Sequence, residues 1–210
     1  MSLAAGIDAV RQREVPSASG AGPASKLIVA SYGFWIFLLG DIVMFSALFA
    51  SYAVLASAAA GGPTGARLFD QYNVAIETAA LLLSSYACGM MSLEINRRQY
   101  SRTVAAAAIT FLLGAAFLCL ELREFQSMIA IGATPQRSAF LSAFFALVGC
   151  HGLHVTVGLI WLLLMMVQLT MWGFRPLVER RLLCFALFWH TLDIIWVMIF
   201  TVVYLMGGLK

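Results

Sequence analysis

Charge is what this 210-residue sequence has least of. Charged residues make up 11% of it, against about 25% in a typical soluble domain. Hydrophobic residues reach 62% and the mean hydropathy is +0.91. A globule this small cannot hide so much apolar surface, which excludes an ordinary cytosolic enzyme. The same composition excludes a disordered chain. Only four Cys are present and none forms a CxxC pair, so a disulfide-stapled secreted domain is excluded as well. Net charge is +3, from 13 Lys and Arg against 10 Asp and Glu. That is too slight and too scattered for a nucleic-acid footprint, and no nucleic-acid partner is expected. No internal repeat is visible, which withdraws support from the inverted-repeat architecture of many transporters. The composition describes a membrane protein.

What is present divides into a tail and five apolar stretches. Residues 1–26 hold Arg11, Arg13, Glu14, Pro16 and Pro23 among Ser, Ala and Gly and read as a mobile polar tail. The apolar run behind them is too long for a signal-peptide core and lacks a small-residue cleavage site. Residues 27–210 form the expected membrane domain, with helices over about 27–55, 72–93, 103–120, 139–167 and 183–206. A spanning helix needs about 20 residues, so the third stretch is near the minimum. Breakers separate the stretches: Gly61-Gly62-Pro63, then Gly132 with Pro135, then Gly173 with Pro176. The expected fold is an all-α, five-helix membrane bundle. Nine of the 13 basic residues fall on the side of the N-terminal tail, among them Arg97, Arg98, Arg102, Arg175, Arg180 and Arg181. Arg67, Arg123, Arg137 and Lys210 fall on the other. The positive-inside rule then predicts a cytoplasmic N-terminus and a periplasmic C-terminus.

The informative residues are those that do not belong in lipid. Asp41 lies mid-helix in the first stretch, where insertion scales assign a carboxylate about 2.5–3.5 kcal/mol. Ile42, Val43, Met44 and Phe45 beside it offer no partner. Its partner therefore lies on another helix, or the group is protonated. It serves either proton exchange or an interhelical tie. Glu77 in the second stretch and Glu121, Arg123 and Glu124 at the end of the third fall at similar depth. They read as an interfacial cluster held by snorkelling and ion pairing.

The fourth stretch carries His151 and His154 within Gly149-Cys150-His151-Gly152-Leu153-His154. Spacing of three places both rings on one helix face. A haem or copper site needs further ligands and a second shell, and no HExxH or CxxCH accompanies them. Gly149, Gly152 and Gly158 point instead to close helix approach, with His donating hydrogen bonds between helices. In the fifth stretch, His190 and Asp193 are i, i+3 neighbours flanked by Trp189 and Trp196. They suit a neutralised pair, a short polar network or a proton relay. Nothing supplies the nucleophile and oxyanion hole of a hydrolase.

These segments carry a resemblance. Residues 33–55, 77–85, 138–155 and 188–207, with His151-Gly152-Leu153-His154-Val155 and Trp189-His190-x-x-Asp193 at their centres, resemble subunit III of the haem–copper terminal oxidases. The likeness is greatest to the cytochrome o ubiquinol oxidase branch, and it covers the chain from about residue 27 onward. It implies a subunit of a proton-pumping oxidase of aerobic respiration in the bacterial inner membrane, not catalytic by itself and giving structural and lipid-binding support. It implies no cofactor in this chain, since the haems and copper belong to subunit I. It implies subunits I and II, a small subunit IV and membrane phospholipids as partners. On this view Glu77, Glu121, Glu124, His151, His154, Trp189, His190 and Asp193 form a structural polar network. Asp41 falls at the family's intramembrane carboxylate, usually Glu, which is associated with lipid contacts and with proton uptake by subunit I. The larger relatives have seven helices and a lipid-filled cleft after the first two. In a five-helix chain that cleft is absent or bordered by another subunit. A short bacterial cytochrome c oxidase is the alternative within the family. A stand-alone proton-coupled transporter is the alternative outside it, and a stand-alone haem or copper enzyme on the three His is a third.

Overall fold

A computed structural model of the chain describes residues 26–56 and 71–207. The expected tail, the Gly61-Gly62-Pro63 break and the basic residues Arg67 and Lys210 lie outside those residues. The described residues are helical throughout apart from short connections. Five helices are long and apolar enough to cross a membrane. They are α1 (Lys26–Leu55), α2 (Gln71–Asn96), α3 (Tyr100–Ala130), α4 (Ala139–Trp172) and α5 (Pro176–Ile199). A 3-10 turn, Pro135–Arg137, precedes α4, and α5 continues into a π-helical segment, Phe200–Leu205. The chain divides within α1 into Met1–Ile36 and Phe37–Lys210. Of the first unit, residues 26–36 are described, and they are helical.

Local signals set the helix ends. Ser138 caps α4, its hydroxyl oxygen accepting from the Leu141 N–H at 3.2 Å, which satisfies one orphan donor of the first turn. Gly173 ends α4 at φ 63, with its N–H on the Leu169 carbonyl. That left-handed position favours glycine. Pro176 opens α5 at a position where no N–H is needed. The α2–α3 turn passes through Arg98 at φ 55, a conformation disfavoured for a side chain. Arg98 also reaches Glu179 at 3.5 Å.

Helices α3 and α5 are longer than the apolar pattern outlines. α3 runs on through Glu121, Arg123 and Glu124 to Ala130, so it is far from the minimum spanning length. α5 takes in Glu179, Arg180 and Arg181. Charge interrupts an apolar run without interrupting a helix, because Glu, Arg and Leu are all good helix formers.

Within Phe37–Lys210, α1 contributes a narrow stripe. Leu38, Phe45 and Tyr52 are buried at intervals of seven, while Leu39, Ile42, Val43 and Val54 stay exposed. Phe37 meets Phe188 at 6.4 Å, Phe45 meets His154 at 5.3 Å and Tyr52 meets Phe140 at 6.0 Å between ring centroids. α2 and α5 are the most deeply packed of the spans, and polar bonds join them. The Trp189 indole N–H donates to Ser84 Oγ, and the Trp196 indole N–H donates to Thr78 Oγ1, each at 3.1 Å.

Candidate functional site

Three polar groups lie within the spans. The first joins α1 to α4. Asp41 Oδ1 lies 3.8 Å from His154 Nε2, and His154 Nδ1 lies 2.8 Å from the Cys150 carbonyl. A carbonyl only accepts, so Nδ1 carries a proton and donates it. The nitrogen facing Asp41 is then Nε2, and the pair sets a carboxyl against an imidazole across the two helices. At 3.8 Å the approach is too long for a direct hydrogen bond.

The second group gathers Glu77 of α2, Glu121 and Glu124 of α3, and Tyr204 of the π-helical segment. Glu121 lies within electrostatic reach of Glu77 and Glu124, and Glu77 within reach of Glu124. The Tyr204 hydroxyl donates to Glu124 Oε2 at 3.2 Å. Glu77 and Glu121 are 1% and 2% exposed, so these acids do not snorkel. This corrects the expected interfacial cluster. The physical reason is that both acids lie on the inner faces of α2 and α3, Glu121 where α3 continues past its apolar run, while Arg123 is exposed and bridges neither of them. The Glu121 carboxyl lies against α4 where Gly152 leaves room: a Cβ there would sit 3.1 Å from Oε1. Val203 and Tyr204 are buried on the π-helical segment, from which Tyr204 reaches Glu124.

The third group lies between α2 and α5 at mid-span. Ser85 Oγ and His190 Nδ1 are 2.8 Å apart. Asp193 has the Ser85 side chain as a hydrogen-bond partner and lies within electrostatic reach of His190. A hydrolytic triad needs the carboxylate on the ring nitrogen opposite the hydroxyl. No hydrogen bond joins Asp193 to the His190 ring among the described residues, so the trio is a polar network without that geometry.

His151 belongs to none of these groups. It is fully buried and stacked on Trp196 at 5.2 Å, with the edges of Phe117 at 5.9 Å and Phe45 at 6.3 Å. Neither ring nitrogen has a partner among the described residues. The expected interhelical donor is thus, at this position, an aromatic packing element. Its two polar atoms face rings because Phe45, Phe117 and Trp196 occupy the space around it. The glycines do mark close approach, but to side chains. Trp189 fits against α3 and α4 where a Cβ on Gly114 or Gly158 would lie 2.8 or 2.9 Å from its ring. Among the described residues, no three His, Cys, Asp or Glu are grouped to hold a metal ion.

Sequence reasoning singled out Asp41, His154, His190 and Asp193 but missed Ser85, which meets His190, and Ser84 and Thr78, which accept from Trp189 and Trp196. Small hydroxyls facing two indoles seven residues apart were the available signal.

Comparison with known proteins agrees with this architecture. The family model of cytochrome c oxidase subunit III matches residues 19–208. The chain is 49% identical to the cytochrome bo(3) ubiquinol oxidase subunit 3 of Pseudomonas aeruginosa, over 85% of each chain. It is 44% identical to the quinol oxidase subunit 3 of Bacillus subtilis, over 83% of this chain and 86% of that one. It is 41% identical to the cytochrome c oxidase subunit 3 of Bacillus sp. PS3, over 83% and 84%. Five spanning helices and bacterial relatives of this kind make it a multi-pass inner-membrane protein with partner subunits in an oxidase complex. The chain belongs to the cytochrome c oxidase subunit III family.

Proposed function

We propose that this chain is the non-catalytic subunit III of a haem–copper oxidase that takes its electrons from ubiquinol. The observation that carries the reading is the 49% identity to a ubiquinol oxidase subunit across 85% of the chain. The polar interior supports the non-catalytic part. Trp189 and Ser84, Trp196 and Thr78, Tyr204 and Glu124 all satisfy one another between helices, as ties in a scaffold do. The haems and copper reside in subunit I. Subunits I and II, a small subunit IV and phospholipids are the partners.

Asp41 and His154 are the exception to the scaffold. Their facing carboxyl and imidazole, near mid-span on the sparsely covered α1, suit a group that supports proton uptake by subunit I. The N-terminus is cytoplasmic, as the basic residues direct. A C-terminal alkaline phosphatase fusion should therefore be active in the periplasm; activity of a cytoplasm-only reporter at that end would overturn this orientation.

Purification of the tagged chain from native membranes tests the function. It should bring down a haem-containing oxidase with ubiquinol oxidase activity, whereas the chain expressed alone should show no Soret band. Stoichiometric haem on the isolated chain, or substrate-driven proton flux through it in liposomes, would overturn the reading. In the same complex, Asp41→Asn should assemble at wild-type level but inactivate several-fold faster during turnover. Loss of assembly instead would make Asp41 a structural tie.

A further inference from the structure

A groove of about 520 Å³ runs between α2 and α3. Glu94 and Arg102 line one end, beside the α2–α3 turn, and Leu83 and Leu113 line the other. Each wall is thus about 16 Å long at the helical rise, which is half of a hydrocarbon core ~30 Å thick. Leu83 and Leu113 lie near the middle of their helices. The groove therefore starts at one membrane surface and stops at the midplane. Ala87 and Ala106 are buried at its floor, while Tyr86 and Ile109 on its rim are 70% and 50% exposed.

Charge sits at the surface end alone. Arg97 pairs with Glu94 at 3.1 Å, and Arg98 pairs with Glu179 at 3.5 Å. Glu94 is 5% exposed and its charge is answered by Arg97. The Arg102 side chain is exposed and has no ion pair or hydrogen bond among the described residues. One guanidinium is left over where an apolar trough meets the interface.

We propose that the α2–α3 groove holds an acyl chain of an anionic phospholipid whose phosphate sits at Arg102. Such a site presupposes the reading of phospholipids as partners of this chain, to which it adds a place and a headgroup charge. Length separates an acyl chain from a partner's helix. A spanning helix crosses both leaflets and would need a seat beyond Leu83 and Leu113, where the groove has ended; an acyl chain ends at the midplane. Charge separates a phospholipid from ubiquinone, which brings no anion to Arg102. It also favours an anionic headgroup over a zwitterionic one, because Arg97 and Arg98 already occupy the acids that an ammonium would seek. Depth agrees, since Arg102 immediately precedes the apolar run of α3 and so stands at headgroup level. Guanidinium and phosphate pair there through charge-assisted hydrogen bonds. In the orientation proposed above this is the cytoplasmic leaflet, where basic positions at helix ends gather anionic lipid.

The test uses the assembled oxidase in phosphatidylcholine vesicles and two photo-reactive lipids with the same diazirine on an acyl chain. One is a phosphatidylglycerol and the other a phosphatidylcholine. After irradiation the phosphatidylglycerol probe should label residues 83–90 and 105–113 several-fold more than the phosphatidylcholine probe. Arg102→Gln should bring the two probes level in the groove, and Arg102→Lys should keep most of the preference. Ala105→Phe, at an exposed position on the groove wall, should lower labelling of the remaining groove residues by both. The wild-type comparison stands whether or not the variants assemble. Equal labelling of the wild-type groove by the two probes, an unchanged preference in Arg102→Gln, or no adducts in the groove while other faces are labelled would each overturn the proposal. Absence of adducts from the whole chain would instead overturn the reading of phospholipids as its partners.

Discussion

Trp189→Ala is expected to release this subunit from its complex more completely than any other single truncation. The side chain is 1% exposed and touches three other helices. Its N–H bonds Ser84 of α2, and its ring fits against Gly114 of α3 and Gly158 of α4. Phe185, one turn earlier on α5, covers it at 5.5 Å. Truncating a buried Trp costs about 3–5 kcal/mol through lost contacts and the cavity left behind. In a membrane the contacts themselves are the driving force, because lipid tails remove the hydrophobic one. The whole fold is stable by about 5–15 kcal/mol, so the loss is a large fraction. Trp189→Phe keeps part of the aromatic bulk but forfeits the indole bond, for which about 1 kcal/mol is a fair figure, together with the outer ring atoms that lie against Gly114 and Gly158. Thermal release of the chain from purified oxidase should thus rank wild type above Phe above Ala. Equal midpoints for Phe and Ala would mean that the indole bond and the outer ring, not the remaining aromatic bulk, hold the helices.

The sequence announced the spans and hid their partners. Five apolar runs were legible because a helix in lipid must be apolar over about 20 residues whatever it packs against. The ends of α3 were not, since Glu121 and Glu124 break the apolar pattern while the helix continues past them. The burial of Glu121 depends on Gly152 on another helix, whose missing side chain makes room for the carboxyl. No local pattern carries that. Asp41 was legible as a residue in need of a partner, and His154 as a residue on the same helix face as His151. Which of the two imidazoles meets Asp41 is a matter of how α1 lies on α4, and only the fold decides it. The π-helical turn at Phe200–Leu205 was equally silent, because it continues the apolar run of α5 with no residue that sets it apart from a regular helix.

The two histidines therefore part company, and one substitution separates them. His151→Phe is expected to be tolerated, and to stabilise the subunit by up to about 2 kcal/mol, because it removes two buried nitrogens that lack partners among the described residues. The new ring keeps the place among Phe45, Phe117 and Trp196 that the imidazole fills now. Crowding offsets part of the gain, since phenylalanine is the larger ring and this core is close-packed. His151→Ala should behave oppositely. It opens a cavity beneath Trp196, costs about 2–4 kcal/mol and lowers the level of assembled complex. The comparison decides between packing and ligation without reference to any bound metal. A ligand cannot be replaced by phenylalanine, so a histidine that held a metal would make Phe as damaging as Ala. The levels of assembled complex, read beside the thermal midpoint of subunit release, should instead place Phe with wild type and leave Ala alone below them.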